Sequence, residues 1–231
     1  MGLFLSLTSV IGKTEEEVAN SLAKYASAAG GGLSIEGLPV DNDNCFVIEQ
    51  ANGNTTILNS SAYLDWDSSS AFISKDLTAP VFSFHIHDGD LWMYILYVDG
   101  KQLDQFNPVP DYWDEDMSDE DIVSWKGNAA IVAKYAGPVQ PSAIANYLKR
   151  WDLDAEEIGK AYPDDEYDNE DWQLLDFMRK LGLPYPLYDD GMPSGHTYKV
   201  WTKELPIKQM PTPAGRASAP AKNKKPWWKF W

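Results

Sequence analysis

Three dipeptides constrain this chain more than any other feature. Asn52-Gly53, Asp88-Gly89 and Asp99-Gly100 each stand between two runs of strand-forming residues. A type I′ turn needs positive φ at both central positions, and Asn-Gly or Asp-Gly meets that demand at the least steric cost. The pattern predicts three hairpins: Cys45–Ala51 with Asn54–Asn59, Val81–His87 with Asp90–Val98, and that last strand with Lys101–Phe106. Leu91–Val98 is apolar on both faces, as a central strand of an antiparallel sheet would be.

The flanking segments carry their own punctuation. Residues 2–10 read as a strand with Leu3, Leu5 and Leu7 inward. Thr14 and Glu17 have capping-box spacing, Val18, Leu22, Tyr25 and Ala29 form a helical stripe, and Gly30 ends it. A short strand is expected at Leu33–Ile35. From residue 118 the period changes. Ser118 caps a helix with Asp119, Glu120 and Asp121 in its first turn, where the macrodipole favours acids. Further helices are expected near 128–136, 142–151, 155–161 and 169–181, with 183–208 irregular but packed along the body.

This order argues an α+β fold: an antiparallel sheet of about six or seven strands with an N-terminal strand-helix unit, followed by a helical layer. The expected division is 1–117 for the sheet, 118–208 for the helical region and its extension, 209–226 for a linker and 227–231 for a tail. The linker is rich in Pro, Ala and Lys and cannot bury enough apolar surface to offset its ordering entropy, so its composition is that of a flexible tether. The tail is Trp227-Trp228-Lys229-Phe230-Trp231.

Charge divides along the same line. Residues 203–231 carry +6 and residues 1–202 carry −22, against −16 for the whole chain. A body of that sign repels nucleic-acid phosphates, so no nucleic acid is expected for it, and attracts basic surfaces. Cys45 is the only cysteine, which excludes an intrachain disulfide and a multi-cysteine metal site. There is no apolar run of membrane-spanning length and no basic segment of secretory type, so a cytoplasmic location is expected. Met1-Gly2-Leu3-Phe4-Leu5-Ser6 fits the myristoylation pattern, although Leu3, Leu5 and Leu7 also alternate as a buried strand does.

Chemistry is sparse. Pairing the second hairpin through a two-residue turn sets His87 opposite Asp90, His85 opposite Trp92 and Ser83 opposite Tyr94, and the third hairpin adds Gln105 and Asn107. Ser83, His85, Trp92, Tyr94, Gln105 and Asn107 would then form a polar, aromatic binding face, with Trp113 close by in sequence. His85, His87 and Asp90 offer two imidazoles and a carboxylate, a set that suits a divalent metal such as zinc, iron or manganese and would centre a metal-dependent hydrolase. No other cofactor is expected. The acidic runs 111–116 and 164–171 lack the glycine and the terminal glutamate of a calcium loop. They embed Tyr112, Trp113, Tyr167 and Trp172, and carboxylates with ring anchors make a surface for gripping a basic partner. P-loop, dinucleotide and nucleophile-elbow motifs are absent.

The tail admits three placements: a hydrophobic groove or acidic surface on a partner, a membrane interface where Trp and Lys anchor, or the chain's own acidic body. Acidic body and baited tether together point to a non-enzymatic protein-binding module of the bacterial immunity, antitoxin or adaptor kind. A hydrolase and a peripheral membrane protein are the alternatives.

Overall fold

The computed structural model describes residues 3–35, 42–112, 114, 116–152, 159–167 and 172–207. Trp113, the 155–158 part of one expected helix, and the linker and tail 209–231 lie outside the described residues. The fold is α+β. Its centre is an eight-stranded, fully antiparallel sheet. In chain order the strands are β1 (Leu5–Val10), β2 (Gly32–Ile35), β3 (Cys45–Ala51), β4 (Asn54–Leu58), β5 (Val81–His87), β6 (Leu91–Val98), β7 (Lys101–Phe106) and β8 (His196–Trp201). Across the sheet they run β2-β8-β3-β4-β1-β5-β6-β7.

Helices cover both faces. On one side α1 (Glu15–Ala28) and α2 (Trp66–Leu77) pack Val18, Leu22, Ala26 and Ile73 on Val10, Phe46, Ile48 and Ile57. On the other, α4 (Ala129–Ala136) and α5 (Gln173–Lys180) pack Val132, Leu174, Phe177 and Met178 on Leu7, Phe82, Phe84 and Trp92. The first of these helices starts as expected. Glu17 N–H donates to Thr14 Oγ1 at 3.3 Å and Thr14 N–H donates to the Glu17 carboxylate at 2.9 Å. Such a cap contributes about 1 kcal/mol. The short α3 (Asp119–Ser124) is capped by Ser118, whose hydroxyl accepts from Asp121 N–H at 3.2 Å.

α2 and β8 are elements that the sequence pattern does not announce. The fully buried face of α2 is mostly serine, Ser69, Ser70 and Ser74 around Ile73, with Trp66, Ala71, Phe72 and Leu77 packed on the core at its margins. Hydrogen bonds add to that packing, with the Ser70 and Thr8 hydroxyls 2.9 Å apart and Ser74 Oγ donating to Ala79 O at 2.8 Å. β8 lies within the segment expected to be irregular, and it ties that region into the sheet between β2 and β3. Its entry requires glycine. A Cβ at Gly195 would stand 2.1 Å from Ile48 O.

The expected helix at 142–151 is a 3-10 turn, Pro141–Ala143, continued by turns whose amides reach back three residues, as Tyr147 N–H to Ile144 O at 3.1 Å. A tertiary bond captures the intervening amide, since Asn146 N–H donates to Tyr162 Oη at 3.0 Å. The last helix begins at Gln173, and 168–171 lie outside the described residues.

The second hairpin carries the correction that matters for function. Asp88 and Gly89 have φ of 55° and 74°, and Asp90 N–H closes the turn on His87 O at 3.0 Å. The ladder then resumes with His87 opposite Leu91, so Asp90 is an extra residue and every later pair moves by one. Trp92 faces Ile86, Met93 faces His85, Tyr94 faces Phe84 and Ile95 faces Ser83. A one-residue slip turns each side chain to the opposite face of the sheet. Trp92 and Tyr94 therefore leave the expected polar face and stand, fully buried, in the α5-side core against Phe177 at ring separations of 5.2 and 5.8 Å. A second irregularity at Leu96/Tyr97 sets Gln105 opposite Ile95, not Tyr94.

Candidate functional site

The expected binding face is thus dispersed. Ser83 and His85 remain on the α2 side. Gln105 reaches Ser124 Oγ at 3.0 Å, and Asn107 is a buried turn residue whose Oδ1 accepts from Val109 N–H at 2.8 Å. His85 lies flat under Trp66, with ring centroids 4.8 Å apart and planes 8° from parallel. Burial, with a smaller contribution from the His87 charge, lowers its pKa to about 4. The imidazole is neutral at ordinary pH, and its Nδ1 is buried without a hydrogen-bond partner among the described residues.

His85 and His87 do share a face, with ring centroids 5.9 Å apart, but Asp90 does not join them. Its carboxylate accepts from Tyr112 Oη at 2.8 Å, and the His87 ring meets the Phe4 ring edge-on. Among the described residues no group of three or more His, Cys, Asp or Glu could hold a metal ion.

A cavity of about 560 Å³ opens beside this hairpin, past Phe4. Its size lies within the range of small-molecule and peptide-anchor pockets. Four separate stretches build it. The start of β1 contributes Leu3, Phe4 and Leu5, and the end of β4 with its exit contributes Leu58, Asn59 and Ser61. The approach to α5 adds Glu166, Tyr167, Trp172 and Leu175. A small loop adds Tyr185, Leu187, Tyr188, Asp189 and Gly191. Its lining combines leucines with aromatic rings. Phe4 and Tyr188 are 41% and 61% exposed, so two of those rings stand open to a ligand.

Each wall is held for an identifiable reason. Asp176 on α5 is 1% exposed and accepts from Glu166 N–H at 3.0 Å and Tyr167 N–H at 2.9 Å, with Arg179 on its other oxygen. This carboxylate fixes the loop that presents Glu166 and Tyr167. Tyr167 stacks on Trp172 at 6.1 Å. The opposite loop closes through Tyr188 N–H to Met192 O at 2.9 Å and Gly191 N–H to Tyr188 O at 2.7 Å, which carries Tyr188 and Asp189 outward.

The cavity is rich in acceptors and negative in field. Among the described residues that line it, Glu166 and Asp189 are acidic and none is basic. The field registers on Tyr167, whose phenol is raised above its ordinary pKa by burial first and then by Glu166, Asp189 and Asp176. Asn59 is 5% exposed. One end of its carboxamide donates to Thr8 Oγ1 at 3.3 Å, and the other, Oδ1, is buried without a partner among the described residues. A buried acceptor left unpaired costs about 1–3 kcal/mol. The arrangement suits a flat-ringed, donor-rich cation: rings attract cations through their π faces, and the two carboxylates add charge.

Tyr167 and Trp172 belong to the acidic run whose sequence suggests a gripping surface, whereas Phe4, Asn59, Tyr185 and Tyr188 carry no signal in sequence. No described helix is long and apolar enough to cross a membrane. The chain matches no protein-family model, and neither a curated protein nor a solved structure matches it.

Proposed function

We propose that this protein is a non-enzymatic binding module, of the immunity, antitoxin or adaptor kind, that takes a basic, ring-bearing segment of a partner protein into the cavity between β1 and α5. One observation carries the reading. The cavity joins open rings to Glu166 and Asp189, with no basic side chain among its described lining residues. The surrounding charge favours the same partner, since residues 1–202 carry −22 and steer a cationic surface inward.

The test uses two capped tripeptides, Lys-Trp-Lys and Glu-Trp-Glu, titrated into the isotope-labelled full chain. The basic peptide is expected to shift the Asn59 side-chain amide and the Tyr188 and Asp189 backbone amides. Its acidic twin should leave them in place. Combining Glu166→Lys with Asp189→Lys is expected to weaken the basic peptide about tenfold or more, at roughly 1 kcal/mol for each exposed carboxylate replaced. Equal binding of both peptides, or shifts confined to another surface, would refute the proposal.

A further inference from the structure

The chain itself contains a segment of the required chemistry. Residues 208–231 hold six Lys or Arg, no acid, and end in four aromatic side chains around Lys229. We infer that the cavity is occupied in the resting protein by the chain's own C-terminal Trp227–Trp231, which a partner segment must displace. The inference rests on the cavity reading above and adds the identity of a competing occupant.

Connectivity places the origin of this segment at the same end of the sheet as the cavity. β8 pairs with β3 so that its last residues lie at the end of the sheet where β3 begins, and β3 pairs with β4 so that the same end holds Leu58. Asn44 Nδ2, just before β3, donates to Val200 O at 2.8 Å and Leu205 O at 3.3 Å, which keeps the outgoing chain on that end. The neighbouring Asp43 carbonyl accepts from Ser60 Oγ, and Ser61 lines the cavity. From β8 to β1, through β3 and β4, is about 14 Å at the usual strand spacing. Residues 208–226, if extended, reach about 60 Å. The tether spans the distance several times over.

Chemical fit and tethering act together. Indole N–H groups and the Lys229 ammonium supply donors for Glu166 and Asp189, and the rings meet Phe4, Tyr167 and Tyr188. A short flexible linker sets an effective concentration on the order of 1 mM. A free peptide that binds at about 0.1 mM would then, once tethered, fill the cavity about nine-tenths of the time.

The experiment compares the full chain with the full chain carrying Trp227→Ala, Trp228→Ala, Phe230→Ala and Trp231→Ala. Amide exchange at 187–191 is expected to be about tenfold faster in the variant. Adding the free peptide Lys222–Trp231 at about 1 mM should restore protection. Glu166→Lys with Asp189→Lys in the otherwise natural chain should reproduce the fast exchange. Identical exchange in the natural chain and the tail variant overturns the inference. Protection that grows with protein concentration between about 10 and 200 µM overturns it too, because the tail then sits in a second copy. The Lys-Trp-Lys probe separates the two proposals. Binding about tenfold tighter to the tail variant supports both. Equal binding to the two chains removes the tail as occupant and leaves the cavity reading standing. No binding to either removes both.

Discussion

Replacing Asp176 by alanine tests how the cavity wall is held. The side chain is 1% exposed and accepts two backbone N–H groups, Glu166 at 3.0 Å and Tyr167 at 2.9 Å, together with the Arg179 guanidinium. Glu166 is exposed, so its freed amide rehydrates and the loss there is about 1 kcal/mol. Tyr167 is half-buried under Trp172, and its orphaned amide costs about 1–2 kcal/mol. The Arg179 side chain is 51% exposed, which limits its share to about 1 kcal/mol. Asp176→Ala should therefore destabilise the protein by about 3–4 kcal/mol, or about 6–16 °C in Tm for a body of this length. Asp176→Asn keeps one acceptor and should cost about half as much. Urea denaturation followed by far-ultraviolet circular dichroism gives both values from the midpoint at constant slope. The Lys-Trp-Lys probe should also bind more weakly to the alanine variant, because the loop bearing Glu166 and Tyr167 loses its anchor. An alanine variant within about 0.5 kcal/mol of the natural protein, or an asparagine variant worse than alanine, would refute the assignment.

Further outcomes follow from the same geometry. His85 has its pKa lowered to about 4 in the fold, below its value in the unfolded chain, so the unfolded state binds the proton first as pH falls. The stability this neutral His85 contributes is complete above about pH 6.5 and lost progressively toward pH 4, and about 2 kcal/mol should be gone by pH 5. His85→Gln should flatten that part of the profile in urea titrations at several pH values, and an unchanged profile would count against it. Trp92→Phe removes an indole N–H that has no partner among the described residues and keeps most of the ring, so it should stay within about 1.5 kcal/mol of the natural protein and bind the probe unchanged. Trp92→Ala should cost about 3–5 kcal/mol. A binding loss on Trp92→Phe would restore this residue to a binding face. Gly195→Ala drives a Cβ to 2.1 Å from Ile48 O, and denaturation should register about 2–4 kcal/mol. Raising NaCl to 0.5 M contracts the screening length to about 4 Å and should weaken the probe several-fold, while the Asp176→Ala stability difference falls by no more than the Arg179 share of about 1 kcal/mol.

What the sequence makes legible is whatever neighbouring residues decide among themselves. Asn52-Gly53 and Asp99-Gly100 set their hairpins, and Thr14 with Glu17 sets the start of α1, because each device closes within a few residues. Asp90 fails that test. As a residue it reads equally as the first of a strand or the extra one of a turn, and the choice lies in the ladder and in Gly89 N–H, which donates to Leu3 O at 2.9 Å. This single ambiguity is enough to send Trp92 and Tyr94 to the wrong face when only the sequence is read. α2 is hidden because serines interrupt its apolar pattern, and the Thr8 hydroxyl that Ser70 meets is 62 residues away in sequence. β8 is hidden among prolines and glycines although His196–Trp201 alternates as a strand does. The cavity draws on stretches as far apart as Leu3 and Gly191, so no local pattern announces it. Only the rings within the acidic run, Tyr167 and Trp172, point toward it.

The high negative charge of the body is compatible with a packed fold because its acids divide into two populations. Asp165 and Asp176 are 4% and 1% exposed, and both are consumed by named donors: Tyr147 Oη and Tyr162 N–H on one, Glu166 N–H, Tyr167 N–H and Arg179 on the other. Together they hold the backbone at Tyr162, Glu166 and Tyr167. Glu166 and Asp189 are exposed and face the cavity, where no described basic side chain neutralises them. The buried pair thus fixes the position from which the exposed pair acts, and the two respond to different perturbations. Salt reaches the exposed carboxylates and leaves bonds of 2.8–3.0 Å inside the wall intact. A cation drawn by the outer pair meets rings already held in place by the inner one, so little ordering cost falls on the act of binding. In the described part of the run, 164–167, neighbouring carboxylates therefore divide the work: Asp165 is bonded into the wall and Glu166 faces the cavity.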